Sequence, residues 1–219
     1  MSIADNIKKI KAQIPDNVSL VAVSKTKSNE EIMEAYQAGQ RVFGENKVQE
    51  MTQKWSDLPK DIEWHMIGHV QRNKVKYMAP YVALIHGVDS LKLLREINKQ
   101  AKKENRQIAC LLQMHIAEED TKFGFDEKEL KALLDSSALK DLEHIRIAGL
   151  MGMATFTDNT VQIQKEFRLL KSMYETTKKV LSGVSQLSMG MSGDYKIAID
   201  EGSTMVRIGS SIFGARNTT

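Results

Sequence analysis

The sequence predicts an α/β protein of the (β/α)8 TIM-barrel class, formed by one domain over residues 1–219. Short apolar runs alternate with longer amphipathic segments, about eight such units can be counted, and no Ser/Gly-rich linker divides the chain. Alternation of this kind is typical of parallel strands joined by helices. About eight units are the number that closes a barrel. An open doubly wound sheet, with one or two strands misassigned, is the structural alternative.

The apolar runs predict the strands of the barrel, because each is short, apolar and bounded by polar or turn-forming residues. In chain order they cover residues 19–23, 41–43, 63–67, 83–88, 108–115, 146–150, 186–188 and 205–208. Strand 1 is the run SLVAV, and it ends at Ser24 and Lys25. The sequence therefore places a lysine at the carboxyl end of the first strand.

The amphipathic segments predict the helices that connect these strands. An N-terminal helix is expected in the stretch MSIADNIKKIKAQIPDN, where charged and apolar residues alternate. Further helices are expected over residues 29–38, 47–58, 72–78, 91–104, 127–135, 161–181 and 195–199. Gly, Ser, Thr or Asp stands at several strand ends, as expected where a helix begins.

Composition excludes several classes of partner. The formal net charge is only +3, from 31 basic and 28 acidic residues, and no run of lysines or arginines predicts nucleic-acid binding. No apolar stretch approaches the roughly 20 residues that span a bilayer, and the N-terminus lacks the apolar core of a signal peptide. Cys110 is the single cysteine and is expected to be a buried strand residue. We therefore expect a cytoplasmic, monomeric protein without nucleic-acid or membrane partners.

Closure of the barrel would bring three distant stretches together. Strand 1 would then adjoin strand 8, and strand 7 would be the next neighbour. Barrel enzymes commonly bind a phosphate with the loops after strands 7 and 8. Small residues let a ligand approach the backbone, and hydroxyl and N–H groups bind anions. The two loops supply Ser188, Gly190, Ser192, Gly193, Gly209, Ser210 and Ser211.

Lys25 beside a phosphate site indicates a Schiff base to pyridoxal 5'-phosphate (PLP). The reaction needs an uncharged amine, whereas a free lysine has a pKa of about 10.4. Desolvation or a nearby cation would favour the neutral form. Arg207 is the candidate cation, because strand alternation directs it away from the side of Val206 and Ile208. The alternatives are an outward surface arginine and an ordinary solvated lysine at a strand end.

Six ordered motifs closely resemble the PLP homeostasis proteins, of the YggS or PROSC type. They are AVSKTK, FGENKVQE, WHMIGHVQRNK, GLMGMAT, LSMGMSGD and GSTMVRIGSSIFGAR, and together they run from about Val21 to Arg216. The resemblance implies a single barrel like the N-terminal domain of alanine racemase, with PLP bound as a Schiff base.

The resemblance also implies roles for individual residues. It makes Lys25 the Schiff-base lysine and puts Arg207 near the pyridine nitrogen. It puts Asn46 at the ring pocket. The residues expected at the phosphate are Ser188, Gly209 and Ser210, with the backbone N–H of Met189.

Two further patterns involve residues with metal-binding or acid–base chemistry. His65 and His69 are four residues apart but straddle a strand end, and no third ligand has metal-site spacing, so no metal is expected. His65 is interpreted as a strand-end residue facing the pocket, with a hydrogen-bonded core histidine as the alternative. Glu45 is interpreted as the start of a helix, where a carboxylate complements the helix dipole.

Three functions are compatible with these residues. The preferred one is a PLP carrier with no catalytic residues and little or no turnover, whose partners include PLP-requiring apoenzymes. The second is a PLP-dependent amino-acid racemase, which needs a second base, normally a tyrosine from a further domain that this chain is expected to lack. An arginine at the pyridine nitrogen also weakens the ring as an electron sink. The third is a protein-binding scaffold in which Lys25 has no special role.

Overall fold

The described residues form a closed barrel of eight parallel strands in the order β1 to β8, which confirms the predicted fold class. The computed structural model describes residues 2–119 and 123–214, so the last residues of the final sequence motif lie outside the described part. The strands are β1 Ser19–Val23, β2 Val42–Glu45, β3 Glu63–Met66, β4 Leu84–Val88, β5 Ile108–Met114, β6 Ile145–Gly152, β7 Gln186–Ser188 and β8 Met205–Ile208.

Helices follow the strands around the barrel and precede β1. They are α1 Ile3–Lys11, α2 Asn29–Gln37, α3 Val48–Asp57, α4 Val75–Met78, α5 Leu91–Lys103, α6 Glu127–Asp135, α7 Thr160–Val180, α8 Tyr195–Asp200 and α9 Ser210–Phe213. Short 3-10 turns cover Arg72–Lys74 and Ser137–Leu139. Within the described ranges, no helix is both long and apolar enough to cross a bilayer.

Local sequence signals account for several helix starts. The hydroxyl of Ser28 accepts a hydrogen bond from the N–H of Glu31, and the Glu31 carboxylate accepts one from the N–H of Ser28. These two bonds form a capping box at the N-terminus of α2. Asp126 and Glu129 do the same for α6. These reciprocal caps fix where the chain leaves the barrel rim and turns into a helix.

Strand pairing brings the ends of β1, β7 and β8 to one rim. β1 pairs with β8 from Ser19↔Met205 to Ala22↔Ile208, and β7 pairs with β8 at Ser188↔Met205. All strands are parallel, so the loops that follow these three strands open at the same end. The neighbourhood expected from the sequence is therefore present.

Two of the differences from the sequence prediction lie close to the cleft. β2 extends to Glu45, because Gly44 and Glu45 continue the ladder with His65 and Met66 of β3. Glu45 is consequently a fully buried strand residue, and its interpretation as a helix start is wrong. The one-turn helix α9 was not predicted, because four residues are too few to produce a periodic pattern.

The barrel wall separates two apolar clusters. The inner one comprises Val21, Leu84, Leu111, Ala148, Met151 and Met205, and the outer one packs the strands against the helices. Val206 and Ile208 belong to the outer cluster. Because side chains alternate along a strand, Arg207 follows Met205 into the barrel interior. Its inward orientation, predicted from alternation, excludes the surface-arginine alternative.

Candidate functional site

A cleft of about 690 Å³ opens at the carboxyl end of the barrel. Its walls include five of the eight residues that the sequence assigned to the cofactor: Lys25, Asn46, Arg207, Gly209 and Ser210. They come from the ends of β1, β2 and β8, which lie up to 185 positions apart (210 − 25) in the chain. The volume lies within the range of about 300–1,000 Å³ that is usual for small-molecule sites.

Arg207 is a buried cation at the bottom of this cleft. The side chain is only 4% exposed. Its Nη1 donates to Ser188 Oγ at 2.5 Å and its Nη2 donates to the carbonyl of Gly152 at 3.1 Å. Burial lowers the pKa of the guanidinium to about 10, although the negative charge of Asp194 acts to raise it. The group therefore remains protonated at neutral pH.

A chain of buried hydrogen bonds continues from Arg207 away from the cleft. Ser188 Oγ lies 3.0 Å from His86 Nδ1, and His86 Nε2 lies 3.0 Å from His65 Nδ1. Arginine can only donate, so Ser188 accepts from Arg207 and has its own proton to give to His86. His86 then donates through Nε2 to His65.

Both imidazoles of this chain are neutral near pH 7. Burial lowers the pKa of His65 to about 3. Burial also lowers the pKa of His86 well below its ordinary value, and the neighbouring His65 and Arg207 lower it further. This hydrogen-bonded series therefore carries one charge, on the guanidinium, and its neutral members hold the charged group in place.

Three residues assigned to the cofactor from the sequence lie below the cleft and do not line it. Ser188 is fully buried and its hydroxyl is used by Arg207 and His86. The N–H of Met189 donates to the carbonyl of Met205 at 3.2 Å, so it belongs to the pairing of β7 with β8. His65 is a hydrogen-bonded core histidine, which was the alternative for this residue.

The loop after β7 reaches the cleft through residues further along. Ser192 and Gly193 line the cleft in place of Ser188 and Met189. Ser192 Oγ accepts the N–H of Gly209 at 3.3 Å, which joins the loops after β7 and β8. A Cβ added at Gly193 would have no atom within 4 Å, so its backbone is open to a ligand. Both residues belong to the small-residue set that the sequence predicts for an anion site.

Lys25 stands at the exit of β1, half-buried, with its side chain on the wall of the cleft. The next residue, Thr26, has a φ of +63°, the left-handed conformation that a β-branched residue rarely adopts. The carboxylate of Glu50 accepts the N–H of Thr26 at 2.6 Å. The backbone around the lysine is therefore bent sharply and held by a contact from α3.

Another part of the cleft lining carries aromatic and polar side chains. His69 pairs with Asp89 at 3.0 Å and stacks on Phe123 at a centroid distance of 4.5 Å. Phe156, in the loop after β6, is 94% exposed at the mouth of the cleft. Glu166 holds that loop by accepting the N–H and the hydroxyl of Thr155 at 2.7 and 2.6 Å. This wall is exposed and apolar at its rim but anchored beneath.

The chemistry of these groups fits a small anionic aldehyde. A lysine amine is a nucleophile for a carbonyl. The serine hydroxyls and the open backbone at Gly193 can donate to a phosphate. Among the described residues, no cluster of three or more His, Cys, Asp or Glu side chains could hold a metal ion. The site is therefore suited to covalent capture of a phosphorylated carbonyl compound.

Comparison with known proteins is consistent with a site for a phosphorylated carbonyl compound. The family model described as "Alanine racemase, N-terminal domain" matches residues 1–217. The pyridoxal phosphate homeostasis protein of Vibrio alginolyticus is 39% identical over 232 residues, covering 99% of this chain and 98% of that protein. The Escherichia coli K12 protein of the same name is 37% identical, covering 93% of this chain and 88% of that protein.

Solved structures share the whole barrel. PipY of Synechococcus elongatus PCC7942, with PLP bound, superposes with a TM-score of 0.88 at 34% identity, over 97% of this chain and all of that chain. PipY without PLP gives a TM-score of 0.91 at 35% identity. Alanine racemase from Bartonella henselae gives 0.73 at 17% identity, where this chain spans 60% of that chain, and this likeness concerns the fold.

Proposed function

Because the chain belongs to the family of the pyridoxal phosphate homeostasis proteins, which carry the alanine racemase N-terminal domain, we propose that it is a PLP carrier. It binds PLP in the cleft as a Schiff base with Lys25 and takes part in the homeostasis of intracellular PLP, with little or no catalysis. The observation that carries the proposal is that an amine, a buried cation and an open Ser/Gly backbone meet in one cleft.

The cleft residues divide into three tasks under this proposal. Lys25 supplies the amine that binds the aldehyde, which is the chemistry that PLP offers when bound. Ser192, Gly193, Gly209 and Ser210 bind the phosphate. Asn46 lines the ring pocket, as the sequence indicated. Ser188 and His65 support Arg207 from below, and Met189 holds β7 to β8.

Arg207 favours storage over turnover. Its guanidinium is charged and cannot accept a proton, so it disfavours protonation of a pyridine nitrogen beside it. An unprotonated ring is a weaker electron sink, and racemisation depends on that sink. The neutral Ser188–His86–His65 chain offers no carboxylate to reverse this effect.

The tyrosine positions also favour a carrier. A racemase needs a second base on the far face of the cofactor, and a tyrosine is the expected one. All five tyrosines (Tyr36, Tyr77, Tyr81, Tyr174 and Tyr195) fall within the described residues, and the cleft lining includes none of them. The described part of the chain therefore places no tyrosine base in the cleft with Lys25.

An absorption spectrum of the purified protein, with and without added PLP, tests the proposal. We expect a visible band from the Schiff base, lost in Lys25→Ala and retained in Lys47→Ala, an exposed lysine outside the cleft lining. A colourless wild-type protein that gains no band on adding PLP would overturn the proposal. Incubation with L-alanine separates the two functions, since sustained loss of chirality would indicate a racemase.

Delivery requires partners, and we propose PLP-requiring apoenzymes as recipients. The exposed Phe156 and Phe123 at the mouth of the cleft provide apolar surface for such a contact. We expect a cytoplasmic protein, in keeping with its single buried thiol, Cys110, and a monomer. Light scattering of the purified protein checks the monomer, and transfer of PLP from loaded protein to an apoenzyme checks delivery. Transfer no faster than release into buffer would contradict a direct contact.

A further inference from the structure

Both residues that flank Lys25 are held by acidic and basic side chains from neighbouring elements. The Ser24 hydroxyl donates to Glu45 Oε1 at 2.6 Å, and its carbonyl accepts from Lys54 Nζ at 2.8 Å. On the other side, Glu50 accepts the N–H of Thr26 at 2.6 Å. The peptide units before and after Lys25 are therefore both contacted from α3, and the Ser24 side chain is contacted from β2.

Lys54 is the centre of this arrangement. Its ammonium donates to the Ser24 carbonyl and to Glu45 at 2.8 Å each, and to Glu50 at 2.7 Å. An ammonium has three protons, so the three contacts use all of them. Lys54 is 5% exposed and Glu45 is fully buried. Removing one member of such a buried pair leaves the other charge without its partner, which is costly.

The bend that follows Lys25 depends on an outside contact. A β-branched residue with φ of +63° is held in an unfavourable region of the backbone map. The contact between the Thr26 N–H and the Glu50 carboxylate stabilises this conformation, and Lys54 in turn fixes Glu50. Without the contact, the turn could relax towards an extended conformation, which would change the direction of the Lys25 side chain.

We propose that Glu45, Glu50 and Lys54 are positioning residues for Lys25, which fix the backbone on both sides of it so that its amine is directed at the cofactor. This inference rests on the proposed function. None of the three residues lines the cleft within the described residues, so they act on the cofactor only through Lys25. Their loss should slow and weaken covalent capture while non-covalent binding stays the same.

Two ligands separate these effects. PLP carries an aldehyde and can bind Lys25 covalently, whereas pyridoxine 5'-phosphate carries an alcohol there and cannot. The full-length apoprotein is titrated with each ligand, and the rate at which the Schiff-base band appears is followed by stopped flow. Glu50→Ala removes the acceptor of the Thr26 N–H, Glu50→Gln keeps an acceptor oxygen, and Lys54→Met removes the central ammonium.

A matched control pair lies on α7. Lys171 and Glu175 form an ion pair at the same spacing of four residues and at 2.8 Å, away from the cleft. We expect Glu50→Ala and Lys54→Met to slow capture roughly 10- to 100-fold, the range expected for misdirection of a reacting group. Glu50→Gln should recover part of the rate. Pyridoxine 5'-phosphate affinity should change less than about twofold, as should every parameter of Glu175→Ala and Lys171→Met.

Three results would overturn the inference. If Glu50→Ala captures PLP at the wild-type rate, the contact does not position the lysine. If the affinity for pyridoxine 5'-phosphate falls as much as that for PLP, the network supports the whole cleft and not Lys25. If the wild-type protein forms no covalent band, the proposed function itself fails, and this outcome is recognised without any variant.

Discussion

Lys54→Met provides a test of the buried ion network in the unliganded protein. The substitution keeps most of the length of the side chain but removes three hydrogen bonds from a charged donor, two of them to carboxylates. Glu45 is then left as a buried carboxylate without a counter-ion. Breaking a buried ion pair from one side costs about 3–5 kcal/mol of the free energy of unfolding. We expect a loss in this range at pH 8.

The loss should depend on pH in a defined direction. Burial raises the pKa of the Glu45 carboxyl above its ordinary value of 4.5, and the charge of Lys54 opposes that rise. Removing Lys54 raises this pKa further, so the folded variant binds a proton more tightly than the unfolded chain does. Stability then falls as pH rises from 4.5 through the raised pKa, by about 1.4 kcal/mol for each pH unit that separates the unfolded and folded pKa values. The cost of Lys54→Met is consequently smaller at pH 5 than at pH 8.

Urea unfolding of the apoprotein at pH 5 and pH 8 measures both effects. The double variant Glu45→Gln/Lys54→Met has no carboxyl at position 45, so the added pH dependence should disappear and part of the stability should return. Lys171→Met breaks an exposed pair and should cost less than about 1 kcal/mol. A cost for Lys54→Met below about 1 kcal/mol, or one that is equal at the two pH values, would refute the reasoning.

Three further predictions concern the buried structure. Ser188→Ala removes one hydrogen-bond partner from the Arg207 guanidinium and one from the His86 imidazole, and we expect a loss of about 2–4 kcal/mol by urea unfolding together with weaker PLP retention; an unchanged spectrum and midpoint would contradict this role. Gly149→Ala would bring a Cβ within 1.7 Å of the carbonyl of Gln186, so little folded protein is expected by circular dichroism, whereas Gly193→Ala, with no atom within 4 Å, should fold normally. Burial raises the pKa of the Cys110 thiol to about 12, so a thiol reagent should label it only as fast as the protein unfolds, and rapid labelling of native protein would refute this.

The sequence was sufficient for the architecture because its signals are local and repeated. Each strand run is short and apolar, and each helix has a polar face and often a cap, as at Ser28 and Asp126. The inward direction of Arg207 also followed from alternation, because β8 is regular from Met205 to Ile208. Features that depend on one element and its own period were therefore predictable.

Features that depend on contacts between elements could not be predicted from the sequence. Glu45 gave no local sign of burial, since its partner Lys54 lies in the next helix and is itself a residue that is usually exposed. The chain from Ser188 through His86 to His65 joins three strands and has no sequence spacing of its own. Residues that line a cleft and residues that support it one layer below share the same motifs, so the sequence could not separate them.

The most direct test of the account is chemical identification of the lysine that binds the cofactor. The protein is incubated with PLP, reduced with borohydride so that the C=N bond becomes a stable amine, digested, and examined by mass spectrometry. We predict a phosphopyridoxyl group on Lys25. Modification confined to Lys27, the other lysine among the described residues that line the cleft, or spread evenly over surface lysines, would contradict the central claim.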